Sequence, residues 1–564
     1  MSIVGRTPFL TENRAAFISK SLAFIAFCVP TLLAAPLRPQ PTFLVEVLLS
    51  LLLLLGLSVE PFSKRIPQPG LLVPAASLLF LCAVLLHGGD AWGYASCIIL
   101  FVLAYCYGTA SSEGIDRAVG YGLLLCAILQ SFVVFIQLFP VGSVEWIPPL
   151  AAGRATGMVG HPNLLSDLLL FGLAALCHPV LYGRLLRWRL LVAVGLGLAL
   201  AATGSRGAWL GIAVFCVIGI LCRRAKEQNA GSSLVWIAVS AVLGQIVYAL
   251  LQHSGLTRGV GAIARNGAQT SNDIRGYLAQ ISWEAIKGSP MFGQGAGSFW
   301  KVSVDAMQIS PARGFSMLGE HAHNLPLNLA VEFGLPMSIL ICSLLLYWGW
   351  ARLRSLNPER AWAMACVGVV FAHSMVEYPL WYTFLMVPCA LCMGFVDAGR
   401  SVRLGQWSAS CIRMAGLAGV LACFVMVMDW MHVRLAWLQL ASAGDMTARV
   451  MSLSARDELD QVSKLSVFGQ QVTSLRLQSY QVGMDDLQVA LRDCEEHWEE
   501  RPTWFMLKSC GEVFSAAGRE DLLSRLVNVQ CKGYPAQHEQ LHDWALSYDA
   551  SGKGLIKLVG RGCM

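Results

Sequence analysis

The chain has 564 residues, 55% hydrophobic and only 13% charged, with 41 Lys and Arg against 35 Asp and Glu and a formal net charge of +6. A soluble domain carries about 25% charged residues, so a soluble globular enzyme is excluded and lipid must solvate much of the surface. The small positive excess points to no nucleic-acid surface, because basic residues between apolar runs orient a membrane protein instead.

A helix needs about 17–25 residues to cross about 30 Å of hydrocarbon. Apolar runs of that kind fall near 17–35, 42–59, 70–87, 92–110, 118–138, 164–182, 188–203, 207–222, 233–252, 325–349, 361–376, 380–397 and 411–430. The sequence therefore predicts an all-α polytopic membrane protein of about thirteen transmembrane helices, with the bilayer as its solvent. Basic residues such as Arg14, Lys20, Arg117, Arg187, Arg189, Arg223, Arg224, Arg352, Arg354 and Arg360 gather in one set of short links, while the alternate links hold Arg38, Arg154 and Arg206. By this asymmetry the N-terminus is cytoplasmic and the C-terminal segment lies outside. The first run follows a short basic start without a small-x-small exit, which reads as an uncleaved anchor.

This pattern divides the chain into N-terminal transmembrane helices (1–150), a transmembrane core that includes a long outward loop at 253–323 (151–430), and a soluble helical domain (431–564). In the last segment Leu487, Ala490, Leu491 and Trp498, then Trp504, Leu507 and Val513, then Leu522, Leu523, Leu526 and Val527 recur at helical spacing. Short packed helices are expected there, punctuated by Gly518 and Pro535. The segment holds 14 basic and 17 acidic residues from Arg434 onward, a balance that argues against nucleic acid. Four of the 18 cysteines, Cys494, Cys510, Cys531 and Cys563, lie in it, so one or two disulfides are expected if it is periplasmic.

The polar residues that interrupt the outward links are the candidates for chemistry. The first link reads Gly153-Arg154-Ala155-Thr156-Gly157 and then His161-Pro162-Asn163. Helix-start chemistry accounts for Pro162 and Asn163, whereas Arg154 runs against the inside bias. The next, Thr203-Gly204-Ser205-Arg206-Gly207, holds Arg206 close to the membrane. It is either a snorkelling anchor or a guanidinium placed for a lipid-linked phosphate. In the long loop Arg275 precedes a helix-like stretch, and Gly293-Gln294-Gly295-Ala296-Gly297 reads as a tight loop, without the strand context of a dinucleotide fingerprint.

The loop ends on Glu320-His321-Ala322-His323-Asn324, ahead of an apolar helix carrying Glu332 and Gly334. Histidines two apart share no helix face, and the paired metal signatures are missing, so a neutral imidazole base suits this cluster better than a metal site. The last cluster, His373-Ser374-Met375-Val376-Glu377-Tyr378, puts His373 and Glu377 at i,i+4. Ionisable residues inside a membrane protein are functional candidates by default, whereas Tyr378 also suits an interfacial aromatic belt. All these clusters fall on the outer side of the predicted topology, where no nucleotide-activated donor is available. A transferase there must draw its donor from the lipid phase.

These motifs resemble those of the bacterial protein O-oligosaccharyltransferases of the O-antigen ligase and polymerase superfamily. The resemblance rests on Arg154, Gly157, Pro162 and Asn163, on residues 203–206, on the Arg275 segment, on His-Ala-His-Asn with Glu332 and Gly334, and on residues 373–382. His161 departs from it, standing where glutamine is expected. The resemblance implies metal-independent, cofactor-free transfer of a preassembled oligosaccharide from undecaprenyl diphosphate to Ser or Thr hydroxyls of periplasmic or pilin proteins. The enzyme would be a multi-pass protein of the bacterial inner membrane, with the active site and C-terminal domain periplasmic. By carry-over His323 is the base and Arg154, Arg206 and Arg275 bind the donor diphosphate. Asn324, His321, Glu332, His373, Glu377 and Tyr378 position acceptor or glycan, Glu377 by orienting His373 or by binding glycan hydroxyls. O-antigen ligation to lipid A-core, O-antigen polymerisation, and transport of the lipid-linked oligosaccharide are the alternatives.

Overall fold

The computed structural model describes residues 12–33, 41–62, 66–67, 72–87, 91–110, 113–139, 146–181, 186–224, 228–259, 270–313, 315–398, 401–402, 406–442, 468–480, 482–483, 485–500 and 502–549. Arg38 and Cys563 lie outside them. A helix occupies each expected apolar run: α1 (Glu12–Cys28), α2 (Phe43–Val59), α3 (Leu72–His87), α4 (Ala91–Ala110), α5 (Ile115–Leu138), α6 (Pro162–Ala175), α7 (Leu186–Ala202), α8 (Gly207–Arg224) and α9 (Gln228–His253). After α10 (Thr270–Gly288) and α11 (Phe299–Ile309) in the long loop come α12 (Leu325–Arg354), α13 (Ala361–Ser374), α14 (Thr383–Asp397) and α15 (Gln406–Ser442). Five short helices follow among the described residues: α16 (Gly469–Gln478), α17 (Leu487–His497), α18 (Trp504–Ala516), α19 (Glu520–Gly533) and α20 (His538–Asp549). The sole described sheet is a two-residue antiparallel pair, β1 (Ile66–Pro67) with β2 (Ser401–Val402).

Among the described residues, six segments are long and apolar enough to cross a membrane: Asn13–Leu32, Trp92–Thr109, Ile115–Leu138, Ala230–His253, Leu325–Arg354 and Ser410–Leu438. Several others, including Phe43–Val59 and Pro162–Ala175, are apolar but shorter. The protein is thus a polytopic, essentially all-helical membrane protein.

The described residues form two compact units. The first draws on 1–82, 95–268 and 341–423, where α7 packs along α9, α8 on α9, α1 on α2 and α5, and α13 on α6, α8 and α14. Lipid supplies no hydrophobic drive between helices, so close backbone approach matters. A Cβ on Gly197 would lie 2.4 Å from the Ala241 carbonyl oxygen, and one on Gly244 2.2 Å from that of Val194. At the other end of the helices from the polar links described below, Asp397 accepts from Tyr105 (2.6 Å) and Trp348 (3.0 Å) and pairs with Arg352.

The second unit draws on 83–94, 269–340 and 424–564. One apolar core joins Tyr277, Phe299, Val304 and Met307 of the long loop to Trp498, Leu507, Phe514, Leu526 and Val527 of the C-terminal helices. The Met317 N–H donates to the Lys532 carbonyl (3.0 Å), and Lys532 Nζ donates to the carbonyls of Met307 (2.7 Å) and Ser310 (2.6 Å). The long loop and the C-terminal helices share this core, their apolar faces completing each other. A disulfide links Cys494 on α17 to Cys510 on α18, and Cys531 is also disulfide-bonded.

Candidate active site

In the first unit, the loop before α6 is fastened to α5 by two glutamines. Gln137 Oε1 accepts from the N–H groups of Thr156 and Gly157, both at 3.1 Å, and Gln130 Oε1 accepts from that of Met158 at 2.9 Å. The loop reverses at Ala152 (φ 49°) and Gly153 (φ 75°), where Ala151 and Arg154 exchange two N–H to C=O bonds of 3.0 Å. Positive φ at both central residues is the signature of a type I′ turn, and Arg154 leaves it in a fixed direction. Its Nε donates to the Thr203 carbonyl (2.7 Å) and its Nη2 to Asn163 Oδ1 (2.5 Å).

Asn163, beside Pro162 in the first turn of α6, passes the link on, its Nδ2 donating to Glu377 Oε1 (3.1 Å). One turn further along α6, Asp167 pairs with His373 Nδ1 at 2.6 Å, both side chains buried. The Glu377 N–H donates to the His373 carbonyl (2.9 Å), so two i,i+4 pairs face each other across α6 and the end of α13. Asp167 thus orients the His373 ring from α6. The His373 ring lies against the start of α8, where a Cβ on Gly207 would stand 3.3 Å from its Nε2. Half-buried Arg206 immediately precedes that helix. Tyr378 stacks on Tyr382, ring centroids 6.0 Å apart. The starts of α6, α8 and α14 and the ends of α7 and α13 thus gather Arg154, Arg206, His373, Glu377 and Tyr378 at one end of this unit.

The second unit holds Arg275, His321, His323, Asn324 and Glu332. Arg275 is half-buried on α10. His321 is buried while His323 is half-exposed. Burial, helped by the neighbouring His323, pushes the His321 pKa down to about 3, so His321 is neutral at pH 7. His323 has φ 51°, the left-handed region that non-glycine residues seldom occupy, and such strain clusters at functional sites. Both sides of it are pinned. Asn328 Oδ1 accepts from the Ala322 N–H (3.0 Å), and Asn324 Oδ1 accepts from the Leu327 N–H (3.0 Å), which makes Asn324 the cap of α12.

α12 is broken at Gly334 (φ 83°, ψ 163°), two residues before Pro336. A proline inside a helix clashes with the carbonyl four residues earlier, here that of Glu332. The carbonyls released at the break are taken by the glycine loop: Gln294 N–H donates to Val331 O (2.8 Å) and Gly295 N–H to Glu332 O (3.0 Å). This close approach accounts for the glycine cluster, since a Cβ on Gly293 would lie 2.4 Å from the Glu332 carbonyl carbon. The Glu332 side chain is buried, and its Oε2 accepts from Tyr94 Oη (2.5 Å).

Sequence reasoning missed Asp167, Asn328 and Tyr94. Asp167 had a usable signal, a lone carboxylate inside an apolar run. Asn328 and Tyr94 had none, because a polar residue near the end of a membrane helix is ordinary. Among the described residues, no three His, Cys, Asp or Glu side chains converge as a metal site.

Residues 191–342 match the O-Antigen ligase family, and residues 361–548 match the C-terminal family of the virulence factor membrane-bound polymerases. The two matches support an O-antigen ligase superfamily protein on the side of the O-oligosaccharyltransferases. It is similar to a general O-oligosaccharyltransferase of Acinetobacter baylyi (strain ATCC 33305 / BD413 / ADP1), 26% identical over 304 residues, 51% of this chain and 52% of the relative. It is also similar to a ComP-specific O-oligosaccharyltransferase of the same organism, 24% identical over 248 residues, 43% of this chain and 44% of the relative. The chain spans about half the length of the curated relatives it matches.

Proposed function

We propose that the protein transfers a preassembled oligosaccharide en bloc from undecaprenyl diphosphate to Ser or Thr hydroxyls of periplasmic proteins, pilins among them. The observation that carries this reading is His323. It is half-exposed and held in a left-handed conformation between two asparagine-fixed segments, beside a histidine that burial keeps neutral. The kinship with general and ComP-specific O-oligosaccharyltransferases supports a protein acceptor. The match over 191–342 supports O-antigen ligation to lipid A-core as the second reading.

In this reading His323 removes the acceptor hydroxyl proton as the oxygen attacks the anomeric carbon, whose bond to the diphosphate breaks. The leaving undecaprenyl diphosphate carries off the electron pair, and the anomeric configuration inverts. Arg154, Arg206 and Arg275 bind the diphosphate, planar guanidinium being suited to bidentate phosphate contacts, and no metal takes part. The Asp167–His373 and Asn163–Glu377 pairs hold Arg154 in place, while Tyr378 and Glu332 shape the glycan and acceptor side. The bond energy resides in the donor, so the protein's task is to position the hydroxyl and stabilise developing charge. Thirteen spans with a cytoplasmic N-terminus put this chemistry on the periplasmic face of the inner membrane.

The test is glycan transfer in a host that supplies an undecaprenyl-diphosphate oligosaccharide and a pilin acceptor, with wild type and His323→Ala at matched membrane levels. Mass spectrometry should find glycosylated Ser or Thr with the wild type and none with the variant. Unmodified pilin together with glycan on lipid A-core in the wild type would move the protein to the ligase reading.

A further inference from the structure

We infer that the loop at residues 290–293 is a membrane anchor of the second unit, with Met291 and Phe292 inserted at the boundary between lipid headgroups and acyl chains. The inference rests on locating the break in α12 relative to the bilayer, and two rulers agree on it. α12 has 30 residues, more than the roughly 20 that cross the hydrocarbon. From Leu335 to Arg354 is about 20 residues, or about 30 Å at 1.5 Å per residue. With Arg352 and Arg354 marking one edge of the bilayer, the break at Gly334 falls at the other.

The second ruler is α4. Its apolar span runs Trp92–Thr109, so Tyr94 stands at the edge where that span begins. Tyr94 Oη donates to Glu332 Oε2 (2.5 Å), and the Tyr94 ring packs edge-on against Phe333, centroids 5.9 Å apart. The residues flanking the break are therefore level with the start of α4. Trp92, 71% exposed, sits at that same end, where aromatic residues belt a bilayer.

The loop is tied to this level by its backbone. Leu335 N–H donates to the Pro290 carbonyl (2.8 Å), and a Cβ on Gly334 would lie 2.3 Å from the Met291 carbonyl oxygen. Met291 and Phe292 cannot then sit far from the bilayer edge, yet they are 61% and 71% exposed. An exposed methionine and phenylalanine held at the level of the bilayer edge by the backbone of α12 meet lipid, so the occupant is lipid. The same backbone bonds satisfy the loop's polar groups, as non-helical chain near a bilayer requires. An insertion of this kind fixes the height of the segment bearing His323 above the membrane, whatever acceptor the enzyme uses.

The experiment places photoreactive p-benzoylphenylalanine at position 292, and separately at 291, in the full-length protein in phosphatidylethanolamine/phosphatidylglycerol nanodiscs. Position 346, a 74% exposed leucine in the second half of α12, calibrates a lipid contact, and position 520, an exposed glutamate on α19, calibrates the absence of one. Irradiation should yield phospholipid adducts at 291 and 292 comparable to those at 346 and about tenfold above 520, as for side chains about 5–10 Å into the headgroup region. Adduct yields at 291 and 292 no higher than at 520, or crosslinks to protein alone, overturn the inference. Neither result bears on whether His323 is the base.

Discussion

His321 and His323 stand two residues apart, the first buried and the second half-exposed. The unfolded chain binds a proton on His321 near pH 6.5, whereas the folded protein holds that pKa down at about 3. Between these values the unfolded state carries more protons. The stability that neutral His321 contributes is therefore full above pH 6.5 and declines as the pH falls toward about 3. The slope is about 1.4 kcal/mol per pH unit, hence about 2 kcal/mol lost by pH 5. Thermal unfolding followed from pH 7 to 5 should show a steeper loss for wild type than for His321→Asn; parallel curves would mean that His321 is not buried as a neutral group. A second residue-scale prediction concerns the relay through Asn163. Removing its amide takes one hydrogen bond from Arg154 and one from Glu377, each worth about 1.5–3 kcal/mol when charge is involved. Asn163→Ala should thus lower the second-order rate of glycan transfer by about 100-fold or more. Glu377→Gln, which keeps an acceptor oxygen, should retain more activity than Glu377→Ala. Equal losses in the two Glu377 variants would point to the carboxylate charge rather than to the hydrogen bond that holds Asn163.

The broken α12 is the element on which the second unit's geometry turns. Gly334→Ala forces an L side chain into the φ 83°, ψ 163° region that is essentially glycine-only, at about 1–3 kcal/mol. It also drives a methyl group into the Met291 carbonyl, so a total destabilisation of more than about 2 kcal/mol is expected. Gly276→Ala on α10, with nothing within 4 Å of its would-be Cβ, is the control that should leave the melting temperature unchanged or raise it slightly. Comparing the two in detergent by differential scanning fluorimetry decides whether the break is held by close backbone contact. Much of this element was legible beforehand: the apolar run from 325, Asn324 ahead of it, and a glycine cluster that reads as a tight loop. The break itself was not, because Gly334 and Pro336 suit a kink or an ordinary membrane helix equally well until a second segment is seen to take the carbonyls of Val331 and Glu332. Helix positions were readable for a simpler reason, that each run must satisfy its own backbone in lipid. Asp167 was readable as an isolated charge, but its partner on α13 lies 206 residues away, and no local pattern reports such a pairing.

At the scale of the molecule, one core is built from the long loop and the C-terminal helices, and this changes what a deletion would mean. Residues Phe299, Val304 and Met307 are fully buried within that core, so a chain lacking the C-terminal helices exposes apolar surface on the segment that leads to His323. Loss of transfer in such a truncation would not separate acceptor docking from collapse of the loop. Point changes separate them better. The Cys494–Cys510 bond closes a loop with a sequence separation of 16, for which chain-entropy arguments give about 3 kcal/mol. Cys494→Ser with Cys510→Ser should make the second unit markedly more sensitive to protease under oxidising conditions, and should make wild type and variant alike under reducing ones. Trp498, 1% exposed, offers a deeper lesion, since its truncation to alanine costs about 3–5 kcal/mol. If the loop and the C-terminal helices fold as one body, limited proteolysis of Trp498→Ala should release cuts in 290–320 as well as beyond 468. Cuts confined to the C-terminal helices would show instead that the loop keeps its structure alone, and a truncated protein would then become a fair test of acceptor docking.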